Sequence, residues 1–199
     1  EALLLVAGTE NRHFRLGFNS MAAYASINHM HYQGYYMQEP FPIELVQGSP
    51  LVSSPSVSVQ ALSDWAAPCL SFTSSDGSLA SLAGTVASVC AHAAEHNIPH
   101  NLLICEEGRR VIFVPNAFSH ACARGSVPEH VLVTNIQPAC FEMCGHMMFK
   151  REEDFYGATE ELCADIIAQG AVDEETYADL CRVAREVSAV EGAVEAAMA

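Results

Sequence analysis

The sequence predicts an α+β domain. Extended, turn-bounded apolar segments are interspersed with helices up to Arg151, the tail from Thr159 is helical, and no internal repeat is present. Half of the 199 residues are apolar and 17% are charged, the composition of a chain that forms a core. At roughly 150 residues per domain this length fits one domain or a compact pair.

The elements follow in order. Ala2 to Ala7 is an apolar helical run entered directly from Glu1, which is not a Met, so the chain is expected to be N-terminally incomplete. Phe14 to Phe18 and Ala22 to Gln33 read as extended segments separated by the turn-prone Asn19-Ser20. Residues 47–59, rich in Ser, Pro and Val without helical periodicity, are expected to form a surface loop. This divides the chain into an N-terminal segment, 1–46, a loop, 47–60, and a C-terminal α+β portion, 61–199, of the same protein.

A strand is expected from Trp65 to Phe72, then a helix from Ser78 to Glu95 opened by Ser74-Ser75-Asp76-Gly77. Asn101 to Cys105 and Arg109 to Val114 form a hairpin across Glu106-Glu107-Gly108. Val131 to Ile136 and Phe141 to Arg151 are further extended candidates. One helix runs from Thr159 to Gln169 and stops at Gly170; Asp173 caps a second, reaching about Ala189.

Composition excludes several function classes. No apolar run reaches the roughly 18 residues of a membrane span. With 9 Lys+Arg against 24 Asp+Glu, and a formal charge of -15, binding to a nucleic-acid backbone is not expected. A small anion needs only a few local donors and stays open. Residues 152–199 hold 13 acidic and 2 basic residues, read as a solvated helical face. The eight cysteines, without a CxxC pair, fit a reduced compartment.

The informative stretch is Ser26-Ile27-Asn28-His29-Met30-His31-Tyr32-Gln33. In a strand, His29, His31 and Gln33 would project to one face, and Asn28, Met30 and Tyr32 to the other. An isolated pair of this kind ordinarily reads as two histidines satisfied on a sheet. A metal is not expected, since no acidic or Cys partner lies at a recognisable ligand spacing. Cys140, Cys144 and His146 supply three potential zinc ligands at an unusual spacing, and the cysteines read as small buried hydrophobes.

The larger pattern, Asn19 followed by Ser26, His29, His31 and Gln33, resembles the histidine-triad superfamily of nucleotide transferases and hydrolases. Phe14-Arg15-Leu16-Gly17-Phe18-Asn19-Ser20, Ile27 to Tyr36, Pro40-Phe41-Pro42, Asn97 to Ile104, Asn135 to Ala139 and Gly145 to Ala158 narrow it. Together they resemble the C-terminal half of the plant and algal GDP-L-galactose phosphorylases, from residue 3 to about 187.

That resemblance implies a histidine-triad-like antiparallel sheet with flanking helices, residues 1–46 carrying the catalytic segment. It implies nucleotidyl transfer, in which GDP-L-galactose and phosphate give L-galactose 1-phosphate and GDP, the branch toward ascorbate. His31 would be the nucleophile, and its second ring nitrogen needs a fixed acceptor that the sequence does not identify. Gln33 stands where triad hydrolases commonly carry a third histidine, and its amide can hold phosphate without readily activating water. Ser26, Asn19 and His29 become substrate and phosphate contacts. Arg15, Lys150 and Arg151 are candidates to neutralise phosphate, although Arg15 equally reads as an exposed strand residue. His146 is expected to be structural.

No cofactor is implied. The implied partners are a GDP-hexose and inorganic phosphate, with self-association open, a cytoplasmic location and, by resemblance, a nuclear one. The upstream half is expected to supply much of the nucleotide pocket. Alternatives are the animal-type GDP-D-glucose phosphorylases, which tend to carry a histidine at the Gln33 position, and a non-catalytic remnant that binds guanine nucleotide.

Overall fold

A computed structural model describes residues 1–27 and 29–198. Its centre is a seven-stranded sheet of β1 (Phe14–Asn19), β2 (Gln33–Tyr36), β3 (Ser49–Ser53), β4 (Val57–Leu62), β5 (Cys69–Ser74), β6 (His100–Cys105) and β7 (Arg110–Pro115). The order across the sheet is β2-β1-β6-β7-β5-β4-β3 and every neighbouring pair is antiparallel. The helices are α1 (Ala2–Gly8), α2 (Leu79–Glu95), α3 (Phe118–Arg124), α4 (Glu129–Leu132), α5 (Cys140–Met143), α6 (Glu152–Gly157), α7 (Glu160–Ala168) and α8 (Glu174–Met198). The α+β architecture is as the sequence predicts. No helix among the described residues is long and apolar enough to cross a membrane.

Strand alternation divides the core between two faces. On one, Leu16, Ile104, Phe113, Phe72 and Val59 pack against Leu82, Val86 and Val89 of α2, Leu180 and Ala184 of α8, and Leu3 and Val6 of α1. On the other, Leu103, Ile112, Val114, Cys69 and Leu62 meet Phe41, Ile43, Phe141 and Met143. A satellite cluster joins Phe118, Val131, Ile136 and Ile166 beneath α3, α4 and α7.

The three long helices start where the sequence places them, and the expected Asp173 cap forms. Ser78 caps α2 by accepting from the Ser81 amide, and Thr159 caps α7 through Leu162 N. Asp173 accepts from Thr176 N at 2.8 Å at the start of α8. The 106–108 turn of the β6–β7 hairpin brings Gly108 to φ +82, where its missing Cβ leaves room for the Leu3 carbonyl.

Five expectations are corrected. Residues 47–59 are not a loop: β3 and β4 form a hairpin, with Val57, Val59 and Ala61 buried at every second position. Pro50 is accommodated because β3 is a sheet edge, with a register shift between Pro50 and Val52. The strand expected at Trp65 begins at Cys69, while the Trp65 indole donates to Met143 O at 3.0 Å. Phe141 to Arg151 holds a short helix and coil, and Val131 to Ile136 begins in α4; short apolar runs do not by themselves separate buried helix from strand. Ala22 to Gln33 is a loop that becomes a strand only at Gln33, because Ala22 and Tyr24 take left-handed φ values of 62° and 65° that break an extended path.

Candidate active site

The site forms where β2 ends against β1. Gly17 pairs with Gln33, Arg15 with Tyr35, and on the other side of β1 Asn19 pairs with Asn101. Cross-strand partners share a face, so Gln33 emerges on the side of residues 15, 17 and 19. The pairing stops at Gln33, so His31 lies two residues ahead of the last paired position. Gly17 keeps the packing on β1 close, since an added Cβ would crowd the Phe141 ring at 3.0 Å and Cys140 Sγ at 3.2 Å. Tyr35 packs on Phe141 from the edge, ring centroids 4.7 Å apart.

His29 and His31 lie in the loop ahead of β2, so strand alternation does not align them. Their rings still approach, edge-on, with centroids 5.6 Å apart. His31 is half-buried and His29 exposed. His31 Nδ1 lies 3.1 Å from the His29 main-chain oxygen. A carbonyl only accepts, so Nδ1 carries the proton and Nε2 keeps its lone pair. The fixed acceptor that the sequence leaves unidentified is thus the backbone of the neighbouring histidine.

Asn19 is buried, its Oδ1 accepting from Asn101 Nδ2 at 2.7 Å and from Cys140 N at 2.9 Å. Gln33 is exposed on β2, and Ser26 is exposed in the loop. Asn28 lies outside the described residues.

Arg15 has a different place from the one expected. It is 6% exposed, with Nε and Nη2 on the two oxygens of Glu44 at 3.0 and 2.9 Å and Nη1 on Arg12 O at 2.6 Å. Glu44 also accepts from Phe41 N at 2.8 Å, so the pair ties β1 to the 42–45 turn, and every guanidinium nitrogen of Arg15 already has a protein acceptor. Arg151 is engaged as well: Nε reaches Asp154 at 2.5 Å at the head of α6, and Nη2 donates to Val133 O. Lys150 is exposed, and its charge acts on buried Glu142, whose carboxyl burial raises above the usual range. The structure therefore sets Gln33 on the face of β1 that also carries Asn19, brings the His29 and His31 rings together in the loop ahead of β2, and gives Arg15 and Arg151 structural partners.

Some participants had no motif to announce them. Asn101 and Asn116 are both buried; the only signal in the sequence is an asparagine heading the apolar run Leu102 to Ile104. His100 is buried on Phe113, with centroids 4.8 Å apart, and its Nδ1 meets Ile98 O at 3.0 Å. Burial lowers its pKa below the ordinary imidazole value. The His146 ring is tilted against Phe41, centroids 5.6 Å apart. Among the described residues no group of three or more His, Cys, Asp or Glu is arranged to hold a metal.

Two surface clefts lie elsewhere. One of about 420 Å³ is lined by His96, Asn97, His120, Arg124, Asp173 and Thr176, among others. One of about 250 Å³ lies around Glu44, Gln60, Thr73 and Arg110. The histidine loop lines neither, and is open at the sheet end.

Comparison with known proteins adds the relationship. The family description "GDPGP1-like, C-terminal domain" matches residues 42–189. GDP-L-galactose phosphorylase 1 of Arabidopsis thaliana is 35% identical over 186 residues, 93% of this chain and 42% of the relative. GDP-L-galactose phosphorylase 2 of the same plant is 34% identical over 90% of this chain and 42% of its own length. GDP-D-glucose phosphorylase 1 of Xenopus laevis is 30% identical over 84% of this chain and 43% of its length. The chain thus spans about two fifths of the length of these curated relatives. No solved structure gives a significant match. A match reaching 93% of the chain necessarily takes in the histidine loop as well as the sheet. With residues 42–189 matching the family description and a relative 35% identical over 93% of the chain, this chain belongs to the GDPGP1-like family and carries that family's C-terminal domain.

Proposed function

We propose that this chain carries the transfer centre of a GDP-hexose phosphorylase, with His31 as the guanylyl acceptor. The observation that carries the proposal is the 3.1 Å contact between His31 Nδ1 and the His29 carbonyl, which holds the imidazole in the tautomer a nucleophile needs.

In this reading Nε2 of His31 attacks the α-phosphorus of GDP-L-galactose. A nitrogen–phosphorus bond forms, the bond from the α-phosphorus to the bridging oxygen breaks, and L-galactose 1-phosphate leaves with that electron pair. Inorganic phosphate then attacks the same phosphorus, releasing the imidazole and giving GDP. Splitting the transfer avoids a direct encounter of a phosphate anion with the intact diphosphate. The Gln33 and Asn19 amides donate to non-bridging oxygens, Ser26 contacts the phosphates, and His29 positions His31 through its backbone. Lys150 remains a candidate for the incoming phosphate. The setting would be ascorbate formation, in the cytoplasm.

The Arabidopsis relatives support the galactose substrate. A second reading, GDP-D-glucose as substrate, is favoured by the Xenopus relative, itself 30% identical. The test is product analysis with each GDP-hexose, with and without phosphate, beside the longer Arabidopsis enzyme as control. Phosphate-dependent GDP release from GDP-L-galactose by this chain supports the first reading, and preference for GDP-D-glucose the second. Release of GMP without phosphate marks a hydrolase and contradicts both.

A further inference from the structure

Three buried asparagines, Asn19, Asn101 and Asn116, are joined end to end. Asn116 Nδ2 donates to Asn101 Oδ1 at 2.8 Å, and Asn101 Nδ2 donates to Asn19 Oδ1 at 2.7 Å. Backbone groups decide which way every amide faces, because an N–H only donates and a C=O only accepts. Phe118 N donates to Asn116 Oδ1 at 3.2 Å, and Pro138 O accepts from Asn116 Nδ2 at 2.7 Å. Ala23 O accepts from Asn101 Nδ2 at 3.1 Å, and Cys140 N donates to Asn19 Oδ1 at 2.9 Å. All three amides are therefore polarised in one direction.

The consequence falls on Asn19. Its Oδ1 has two donors, whereas its Nδ2 has no partner among the described residues, in a side chain whose residue is only 6% exposed. No fully buried side-chain nitrogen or oxygen is left unpaired among those residues. The small exposed part of Asn19 therefore includes its amide nitrogen, which is the unspent donor of the chain.

We propose that Asn101 and Asn116 are positioning residues of the transfer site, a buried amide relay that holds the Asn19 NH2 group outward as a donor to a phosphate oxygen of the nucleotide. The proposal rests on the reading of the site given above and extends it to residues that touch no substrate. Reversing the Asn19 amide would set its NH2 against the Cys140 N–H, donor against donor, so the relay fixes the orientation before substrate arrives. A donor that needs no reorganisation is worth most to a developing charge. The same bonds hold the neighbouring backbone. Asn101 fixes Ala23 between the left-handed Ala22 and Tyr24, with Ser119 donating to Ala22 O, and Asn116 fixes Pro138 ahead of α5. Left-handed φ at such residues is strained and persists only where surrounding bonds hold it.

Asn101→Asp tests the relay with almost no change of volume. The carboxylate still accepts from Asn116 but cannot donate to Asn19, so the Asn19 amide is expected to turn over and present its oxygen. The first readout is the rate at which GDP-L-galactose guanylylates His31, followed by intact mass. Asn101→Asp and Asn19→Ala should each slow it about 100-fold, the effect of losing one preorganised donor. The double variant should be no slower than the worse single one, because Asn101 acts through Asn19; multiplied effects would mean a merely structural role and overturn the proposal.

The second readout needs no activity. In the 15N-labelled chain the Asn19 side-chain NH2 pair, assigned by its loss in Asn19→Ala, should shift on Asn101→Asp. An unmoved pair overturns the relay. A shifted pair in a chain whose wild type forms no adduct keeps the relay and removes the transfer reading. If the buried carboxylate prevents folding, Asn116→Ser shortens the remote link and should slow transfer about 10-fold, within the range for residues along such a network. Unchanged transfer and an unmoved Asn19 pair in that variant also overturn the proposal.

Discussion

The His31 ring donates from Nδ1 to the main-chain oxygen of His29 across 3.1 Å, so the acceptor that orients the imidazole belongs to the backbone and not to a third side chain. The two histidines should therefore differ sharply under substitution. His31→Asn is expected to abolish guanylylation with unchanged folding by circular dichroism. His29→Ala keeps the carbonyl and should slow transfer by about 10-fold, below the full loss of an acid–base partner. Equal loss in both variants would place chemistry on the His29 ring.

Arg15 and Glu44 form a buried, two-pronged ion pair. Arg15→Met leaves the Glu44 carboxylate unpaired and should cost about 3–5 kcal/mol in urea unfolding. Arg15→Met with Glu44→Met should recover more than half of it, since no lone charge remains. If Arg15 served phosphate instead, the single variant would unfold normally and lose only activity.

Gly17 sits under Phe141 and Cys140, which an added methyl group would crowd at 3.0 and 3.2 Å. Gly17→Ala should cost about 1–3 kcal/mol through overpacking. It should also displace Cys140 from Asn19, so transfer falls more than stability alone accounts for. Thermal melts run beside transfer rates make the comparison.

His100 sets one pH dependence. Burial lowers its folded pKa beneath the unfolded value, so below that unfolded value the unfolded chain takes up a proton that the folded chain refuses. Its contribution is complete above the unfolded imidazole pKa, about 6.5, and falls as pH drops from there toward the folded value. His100→Phe keeps the stacking on Phe113 and removes the titration. The stability difference between wild type and His100→Phe should shift against the wild type from pH 7.5 to pH 5 in urea titrations. A difference independent of pH would contradict the assignment.

Legibility followed the range of the signal. The start of α2, the α8 cap and the β6–β7 hairpin depend on neighbours in sequence, and all were readable from the 74–77 stretch, Asp173 and the 106–108 turn. The β3–β4 hairpin was hidden because serines mask a period-two pattern carried by Val57, Val59 and Ala61. The 141–151 segment misled because Phe141 and Met143 are buried from a short helix as readily as from a strand. Within the site, spacing singled out residues 19 to 33, but the strand expected to align His29 and His31 begins only at Gln33. What was not legible depended on long-range partners: Glu44 lies 29 positions from Arg15, and Asn101 lies 82 from Asn19. Neither pairing has a sequence signature, and one of them changes the role of a residue the sequence offered as a phosphate contact.

The central claim, a covalent guanylyl group on His31, is tested most directly by intact-mass spectrometry after mixing the chain with GDP-L-galactose in the absence of phosphate. The account predicts an adduct of one GMP on the wild type, none on His31→Asn, and its removal as GDP when phosphate is added. An adduct that survives His31→Asn, or GDP formed by a wild-type chain that never carries the adduct, would contradict it.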